Sequence, residues 1–227
     1  VRSIRGEVSL EKVWFMNPWP WVVGTGCALV GVLVCESTGR LRGRWVLKPL
    51  ASVGFLGAAL ALGALGTRYG QWVLAGLVLS FVGDVVLLGR ARWALLGGIA
   101  AFALAHVAYG VAMVIDSVEG WGVMASLLPL ALVGGLVVRQ LWPHVPGPLR
   151  GAVIGYVVVI SVMVSLAAGS VAGGRGSIRL FAATLFFFSD LSVARDRFLD
   201  AGLGNRLWGL PAYYVAQILF AWSVVAH

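Results

Sequence analysis

Long apolar stretches make up most of the chain, and short breaks rich in Gly, Pro and Arg separate them. A helix needs about 20 apolar residues to cross the hydrocarbon core of a bilayer. The pattern therefore predicts an all-α fold, a polytopic membrane helix bundle of about eight transmembrane helices that forms one domain over residues 1–227. The predicted spans lie near residues 19–38, 46–65, 70–88, 94–115, 121–138, 151–171, 178–195 and 207–226.

The composition supports a membrane protein. Of the 227 residues, 60% are hydrophobic and 11% are charged, and the mean hydropathy is +0.93. A soluble domain has about 45–50% apolar and about 25% charged residues. Most of the tryptophans fall near the ends of the predicted spans, where indole rings prefer the headgroup level. Glycines inside the spans, among them Gly57 and Gly63, predict close packing of helices.

The net charge of +8 indicates basic loops that contact anionic membrane lipids, and no nucleic-acid partner is predicted. Cytoplasmic loops carry an excess of Lys and Arg, so the more basic side is expected to be cytoplasmic. The chain is therefore predicted to cross a bacterial-type inner membrane several times, with both termini outside. Eleven basic residues lie on the predicted cytoplasmic side: Arg40, Arg42, Arg44, Lys48, Arg90, Arg92, Arg139, Arg150, Arg195, Arg197 and Arg206. Six lie on the other side: Arg2, Arg5, Lys12, Arg68, Arg175 and Arg179.

Polar side chains recur at helical spacing inside several spans. Ser80 and Asp84 are four residues apart, as are Tyr213 and Gln217, so each pair shares a helix face. Such faces turn away from lipid, because an unsatisfied polar group in hydrocarbon is costly. We therefore expect one polar cavity in the cytoplasmic half of the bilayer. The further polar residues of the spans are Lys48, which opens the second span, and His106, Tyr109, Tyr156, Ser189, Asp190 and Tyr214.

Structural roles for these residues are weighed beside functional ones. Asp84 could cap a helix or pair with Arg90 or Arg92, although carboxylates inside spans more often mark functional sites. Lys48 could extend to the headgroups, and His106 could bond a neighbouring helix. Tyr156, Tyr214 and Ser80 are typical of packing or interhelical hydrogen bonds. The segment Arg195-Asp196-Arg197 is predicted to be a solvated cytoplasmic anchor.

Five motifs in separate spans together resemble the YhhN family of membrane proteins, which contains the lysoplasmalogenases. They are KP at Lys48-Pro49, GD at Gly83-Asp84, AHxxY from Ala105 to Tyr109, SDxxxAxxxF from Ser189 to Phe198 and YYxAQ from Tyr213 to Gln217. The resemblance implies an enzyme that hydrolyses the vinyl-ether bond of a lysoplasmalogen. The products are a fatty aldehyde and glycerophosphocholine or glycerophosphoethanolamine.

That reaction suits two carboxyl groups held in different protonation states. A protonated carboxyl group transfers its proton to the alkene carbon, and an ionised one stabilises the resulting cation and orients water. We therefore predict that Asp84 and Asp190 are catalytic and that His106 relays protons or positions water. No metal or other cofactor is predicted, since one His and two Asp make a poor zinc site. The predicted substrate-binding residues are Lys48, Ser80, Tyr109, Ser189, Tyr213 and Gln217, with Lys48 meeting the lipid phosphate.

Three other functions remain open from the sequence. Intramembrane Asp and His residues also serve as proton relays in transporters, but no inverted repeat is visible. A different membrane hydrolase is less favoured, because the chain has neither a G-x-S-x-G nor an H-E-x-x-H motif. A non-catalytic lipid-binding protein would leave the carboxylates unexplained. Headgroup preference and oligomeric state are not encoded in any visible motif.

Overall fold

The computed structural model describes residues 17–89 and 91–225, which form eight α-helices and one short 3-10 turn at Ala64–Gly66. The eight helices confirm the all-α prediction. They are α1 (Trp19–Thr38), α2 (Leu41–Ala61), α3 (Arg68–Val86), α4 (Arg92–Asp116), α5 (Gly120–Leu141), α6 (Gly147–Ala172), α7 (Ile178–Phe198) and α8 (Leu203–Trp222). Arg2, Arg5, Lys12 and Arg90, which enter the orientation prediction, and the predicted end of the last span at residue 226 lie outside the described residues.

Six helices form a closed ring around the core. Helix α2 packs on α3, α3 on α4, α4 on α6, α6 on α7, α7 on α8, and α8 returns to α2. Helix α1 lies outside this ring against α2 and α8, and α5 lies outside against α6. The ring brings together α3, α4, α7 and α8, the helices that carry most of the polar residues singled out in the sequence.

Aromatic rings fill the centre of the helix ring. The ring of Phe186 contacts those of Phe102, His106 and Tyr213, with centroids 6.0, 4.5 and 5.4 Å away. Phe102 also lies against Gly83, where an added Cβ would be 2.7 Å from its ring. A side chain at Gly83 would therefore push Phe102 away from helix α3. The residue that follows this glycine is Asp84.

Helix α2 departs most from its predicted bounds, because it begins at Leu41 and ends at Ala61. The prediction that Gly63 lies inside a span is wrong: its φ is +80°, a left-handed conformation that favours glycine, and it turns the chain into the 3-10 segment. Lys48 accordingly lies about two turns inside the helix instead of at its start. The packing role of Gly57 is confirmed, since an added Cβ would be 2.2 Å from the ring of Trp21.

Five of the described helices, α1, α3, α4, α5 and α6, are long and apolar enough to cross a membrane by length and composition. The other three, α2, α7 and α8, carry charged residues such as Arg44, Lys48, Asp190 and Arg206. These four charged residues line one cavity inside the bundle, as the next section describes.

A buried ionic cluster lies at the end of the bundle where α4 and α6 terminate and α7 begins. Arg179 is fully buried, pairs with Asp116 Oδ2 at 2.6 Å and donates to Ser170 Oγ at 2.9 Å. Its guanidinium lies 4.1 Å from the centre of the Tyr69 ring. The more exposed Arg175 pairs with the same Asp116 oxygen at 3.0 Å. Arg179, which the sequence analysis counts among the basic residues of the less basic side, thus lies inside the bundle, where its guanidinium joins α4, α6 and α7.

Replacing Asp116 by Asn should destabilise the protein by about 3 kcal/mol, because Arg179 is left buried without its counterion. Arg175→Gln is the matched control, since it removes the exposed partner of the same carboxylate and should cost less than about 1 kcal/mol. Thermal unfolding in one detergent measures both. Equal losses for the two variants would contradict a special role for the buried pair.

Candidate active site

A cavity of about 380 Å³ opens among the helices and is lined by residues of all eight. Asp84 of α3 and Asp190 of α7 both line it. The two residues are 106 positions apart in the chain, and the closed helix ring brings them to one space. The cavity lies toward the end of the bundle where α2 and α8 begin and α3 and α7 end.

Asp84 is a buried carboxylate with a cation and two hydroxyl partners. Lys48 Nζ lies 3.1 Å from its Oδ1. The Ser52 hydroxyl donates to Oδ2 at 2.7 Å, and the Tyr213 hydroxyl donates to the same oxygen at 2.6 Å. Lys48 and Ser52 are four residues apart on α2 and so share the face that meets α3. The ammonium group and the two hydroxyl donors compensate the charge of this buried carboxylate.

Asp190 has different partners and is more open to the cavity. The Tyr156 hydroxyl donates to Asp190 Oδ2 at 2.7 Å, and His106 Nε2 lies 3.0 Å from the same oxygen. His106 Nε2 is also 2.9 Å from the Tyr156 hydroxyl, which closes a triangle of three titratable groups. The Asp190 side chain is 14% exposed, against 2% for Asp84. A histidine beside a carboxylate provides a route for proton exchange.

The cavity changes from charged to apolar along its length. At the end formed by α1, α2 and α8, its lining includes Glu36, Arg44 and Arg206. At the end formed by α4, α5 and α6, the lining is aliphatic and includes Leu95, Ile99, Val137, Val153 and Val157. The two carboxylates lie on the helices between these ends, so an amphiphile with one apolar chain matches the order of the lining.

Comparison with known proteins supports a family assignment. The profile of the YhhN family matches residues 43–224. This chain belongs to the YhhN family. Helix α1 and Glu36 precede the matched range, whereas both carboxylates lie within it. The family resemblance of the five motifs is thereby confirmed, and the chain is a multi-pass membrane protein. No solved structure matches it significantly.

Several curated relatives share parts of this YhhN-family chain. "Lysoplasmalogenase TMEM86A" of Bos taurus is 30% identical over 165 residues, which cover 67% of this chain and 65% of the relative. "Lysoplasmalogenase TMEM86B" of Sus scrofa is 32% identical over 180 residues, covering 78% and 72%. "Lysoplasmalogenase" of Mycobacterium bovis is 29% identical over 216 residues, covering 91% and 81%. The match thus spans slightly less than two thirds of the bovine protein.

The predicted site residues of this YhhN-family member fall into two layers. Lys48, Asp84, Ser189, Asp190 and Tyr213 line the cavity. His106 is behind them, buried and in contact with Asp190. Tyr109, Gln217 and Ser80 are fully buried outside the cavity lining, where the Tyr109 hydroxyl donates to Gln217 Oε1 at 2.6 Å.

Three contacts of the site add to what the sequence indicates. Tyr156, assigned to packing or interhelical hydrogen bonds, makes such a bond, and its partner is Asp190. Ser52, which the sequence analysis missed, donates to Asp84, and its position four residues after Lys48 was the available signal. Asp84 pairs with Lys48 instead of Arg92, and Arg90 lies outside the described residues.

The segment Arg195-Asp196-Arg197 is only partly the solvated anchor that the sequence predicts. Asp196 pairs with Arg206 of α8, with Arg206 Nε 3.1 Å from Asp196 Oδ1, and both residues line the cavity.

Lys48 lies beside Asp84, and this ion pair argues against the predicted contact between Lys48 and the lipid phosphate. Within residues 17–89 and 91–225, no three His, Cys, Asp or Glu side chains are grouped as a metal site.

Proposed function

We propose that this protein is a lysoplasmalogenase, which hydrolyses the vinyl-ether bond of a lysoplasmalogen. The products are a fatty aldehyde and glycerophosphocholine or glycerophosphoethanolamine. The observation that carries the proposal is the pair of carboxylates with unlike partners, Asp84 with Lys48 and Asp190 with His106 and Tyr156, on one cavity. The names of the curated relatives support the same reaction.

In the first step, Asp190 in its protonated form gives its proton to the alkene carbon that does not bear oxygen. A C–H bond forms, and the positive charge is shared between the adjacent carbon and the ether oxygen. Asp84 acts as the anion that stabilises this cation, and Lys48 and two hydroxyl groups are its partners. The two carboxyl groups thus take different roles, each with its own set of partners.

In the second step, water attacks the cationic carbon and Asp84 accepts a proton from it, which gives a hemiacetal. The hemiacetal then collapses: Asp84 returns its proton to the departing glycerol oxygen, and Asp190 takes the proton of the hemiacetal hydroxyl. One water is consumed, and both carboxyl groups regain their starting states. His106 and Tyr156 exchange and orient the proton on Asp190.

The remaining polar residues form two groups: some line the cavity, and others are buried behind the lining. Tyr213 and Ser189, which line the cavity, contact the water or the glycerol oxygens. Tyr109, Gln217 and Ser80 lie in the layer behind and position the helices that carry His106 and Tyr213. Lys48 acts through Asp84. The lipid phosphate is therefore bound by other cations at the cavity opening, and not by Lys48 as the sequence predicts.

The alkenyl chain occupies the aliphatic end of the cavity between α4, α5 and α6. Because the cavity has one such aliphatic end, it favours lipids with one chain over lipids with two. The positive-inside rule supports an orientation in which the charged end of the cavity, and with it the site, is on the cytoplasmic side of a bacterial-type inner membrane.

A larger side chain at the aliphatic end of the cavity should change the preference of the enzyme for alkenyl chain length. Ile99→Phe should shift the best substrate to a shorter alkenyl chain, because the added ring occupies space at the end of the cavity. Leu104→Phe is the matched control on the same helix, since Leu104 is 56% exposed on the outside of the bundle. Rates over a series of alkenyl lengths give the result, and an unchanged preference in Ile99→Phe would place the chain elsewhere.

The reaction itself is tested by mass spectrometry of purified protein incubated with a lysoplasmalogen and, separately, with its saturated ether analogue. The expected result is fatty aldehyde from the vinyl ether alone, because only a vinyl ether can be protonated on carbon. Absence of aldehyde from the vinyl ether, or product from both lipids, would contradict the proposed reaction.

A further inference from the structure

A network of four charged side chains surrounds the opening of the cavity and takes no part in the acid–base steps. Glu36 of α1 accepts from Arg44 Nη1 of α2 at 3.0 Å and from Arg206 Nη1 of α8 at 2.7 Å. Arg206 also donates to both oxygens of Asp196, at 3.1 and 3.3 Å. All four residues line the same cavity as the two central carboxylates.

Stability alone gives a weak reason for this network. The Glu36 side chain is 7% exposed and that of Arg44 is 19% exposed, so both charges are largely removed from water. Ion pairs in such places are often no more stabilising than apolar residues of similar size, because desolvation offsets their attraction. A binding role accounts better for guanidinium groups held in fixed positions at a cavity opening.

The arginines retain donors for an anion. Arg44 Nε is buried and has no hydrogen-bond partner among the described residues. Arg197 lines the opening and joins none of the ion pairs described within residues 17–89 and 91–225. With Arg44, Arg206 and Arg197 against Glu36 and Asp196, the opening has an excess of positive charge. Guanidinium groups bind phosphate oxygens with directed, charge-assisted hydrogen bonds.

The spacing along α2 matches a lipid headgroup. Arg44 is four residues before Lys48, so it lies about 6 Å farther out on the same helix face. Lys48 marks the level of Asp84, where the ether bond reacts. In a lysophospholipid, three glycerol carbons and an ester oxygen separate the ether oxygen from phosphorus, which is a comparable distance. The opening therefore lies where the phosphate of a reacting lipid must be.

We propose that Arg44 and Arg206, held side by side by Glu36, form the subsite that binds the phosphodiester of a single-chain phospholipid. Glu36 is a positioning residue, because it contacts the two guanidinium groups and acts through them. This inference rests on the proposed function for the orientation of the lipid. It transfers the phosphate contact from Lys48 to the arginines.

Binding of ligands that are not hydrolysed tests the subsite independently of turnover. The probes are a saturated ether lysophospholipid and the alkylglycerol with the same chain, each titrated into purified protein in detergent. Wild-type protein should bind the phospholipid at least about tenfold more tightly, as expected for charge-assisted hydrogen bonds. Equal affinity for the two probes in the wild type would overturn the proposal, whatever the variants do.

Arg44→Gln and Arg206→Gln should each weaken binding of the lysophospholipid by about tenfold or more and leave binding of the alkylglycerol unchanged. Arg40→Gln is the matched control, since Arg40 is an exposed arginine at the same end of α2 and should not affect either ligand. A parallel loss for both ligands would show that the network only holds the helices together, and would contradict the proposal.

Two further arms separate the possible outcomes. Arg44→Lys keeps the charge but lacks the planar donor fork, so it should fold like the wild type and bind the phospholipid more weakly. Inorganic phosphate should not displace the lysophospholipid at equal concentration, and displacement would indicate a site for free anions. If the protein binds the lysophospholipid more tightly than the alkylglycerol but forms no aldehyde from a lysoplasmalogen, the proposed reaction is wrong and the proposed phosphate subsite is still supported.

Discussion

Replacing Asp190 by Asn should lower the rate of lysoplasmalogen hydrolysis by about 10²–10⁴-fold, the usual contribution of a general acid. The amide keeps the size of the side chain and can still accept the hydrogen bond from Tyr156. It has no acidic proton to give to the alkene carbon. Turnover of purified variant and wild type, measured as aldehyde released per folded molecule, gives the result.

Asp200→Asn is the matched control for this substitution, because Asp200 is an exposed aspartate in the loop that follows α7. It should hydrolyse the substrate at the wild-type rate. His106→Gln should fall between the two, since it removes the proton-exchanging neighbour of Asp190 but leaves the acid in place. Full activity in Asp190→Asn would remove Asp190 from the chemistry.

Asp84→Asn should both abolish most of the activity and lower the free energy of unfolding by about 3 kcal/mol, because it leaves the ammonium group of Lys48 largely buried without a counterion. The two effects can be separated with Lys48→Met. In the double variant Lys48→Met/Asp84→Asn, no unpaired charge remains, so most of the stability should return. Activity should not return, because the anion that stabilises the cationic intermediate is still absent.

Thermal unfolding in detergent and aldehyde release on the same preparations test this pair. A double variant that regains activity along with stability would show that Asp84 is structural. If the single variant is as stable as the wild type, the ion pair with Lys48 does not hold a buried charge. Ser52 and Tyr213, which donate to the same carboxylate, are unchanged in all of these variants. They therefore do not account for a difference between the single and the double variant.

The fold and the carboxylates could be predicted because each depends on local sequence. Apolar stretches of spanning length specify helices, and the first of them, Trp19–Thr38, has the predicted bounds. Asp84 and Asp190 stand out because a carboxylate among apolar residues is rare. That both line one cavity follows from a simple physical rule, since polar groups in a membrane helix turn toward other helices.

Partnerships across the helix ring could not be predicted, because they depend on which helices become neighbours. Tyr156 reaches Asp190 only because α6 packs between α4 and α7. Glu36 reaches Arg206, 170 residues away in the chain, because α1 lies against α8. A basic residue near a helix end has the same sequence signature whether it is buried or partly exposed, as Arg179 and Arg175, which pair with the same carboxylate, show.

Hydrolysis of a lysoplasmalogen in water labelled with oxygen-18 tests most directly whether water attacks the alkenyl carbon of the vinyl ether, as the account requires. Attack on the alkenyl carbon breaks its bond to the ether oxygen, so the glycerophospho product should keep its original oxygens and contain no label. Label in that product would show attack on the glycerol carbon and would contradict the account.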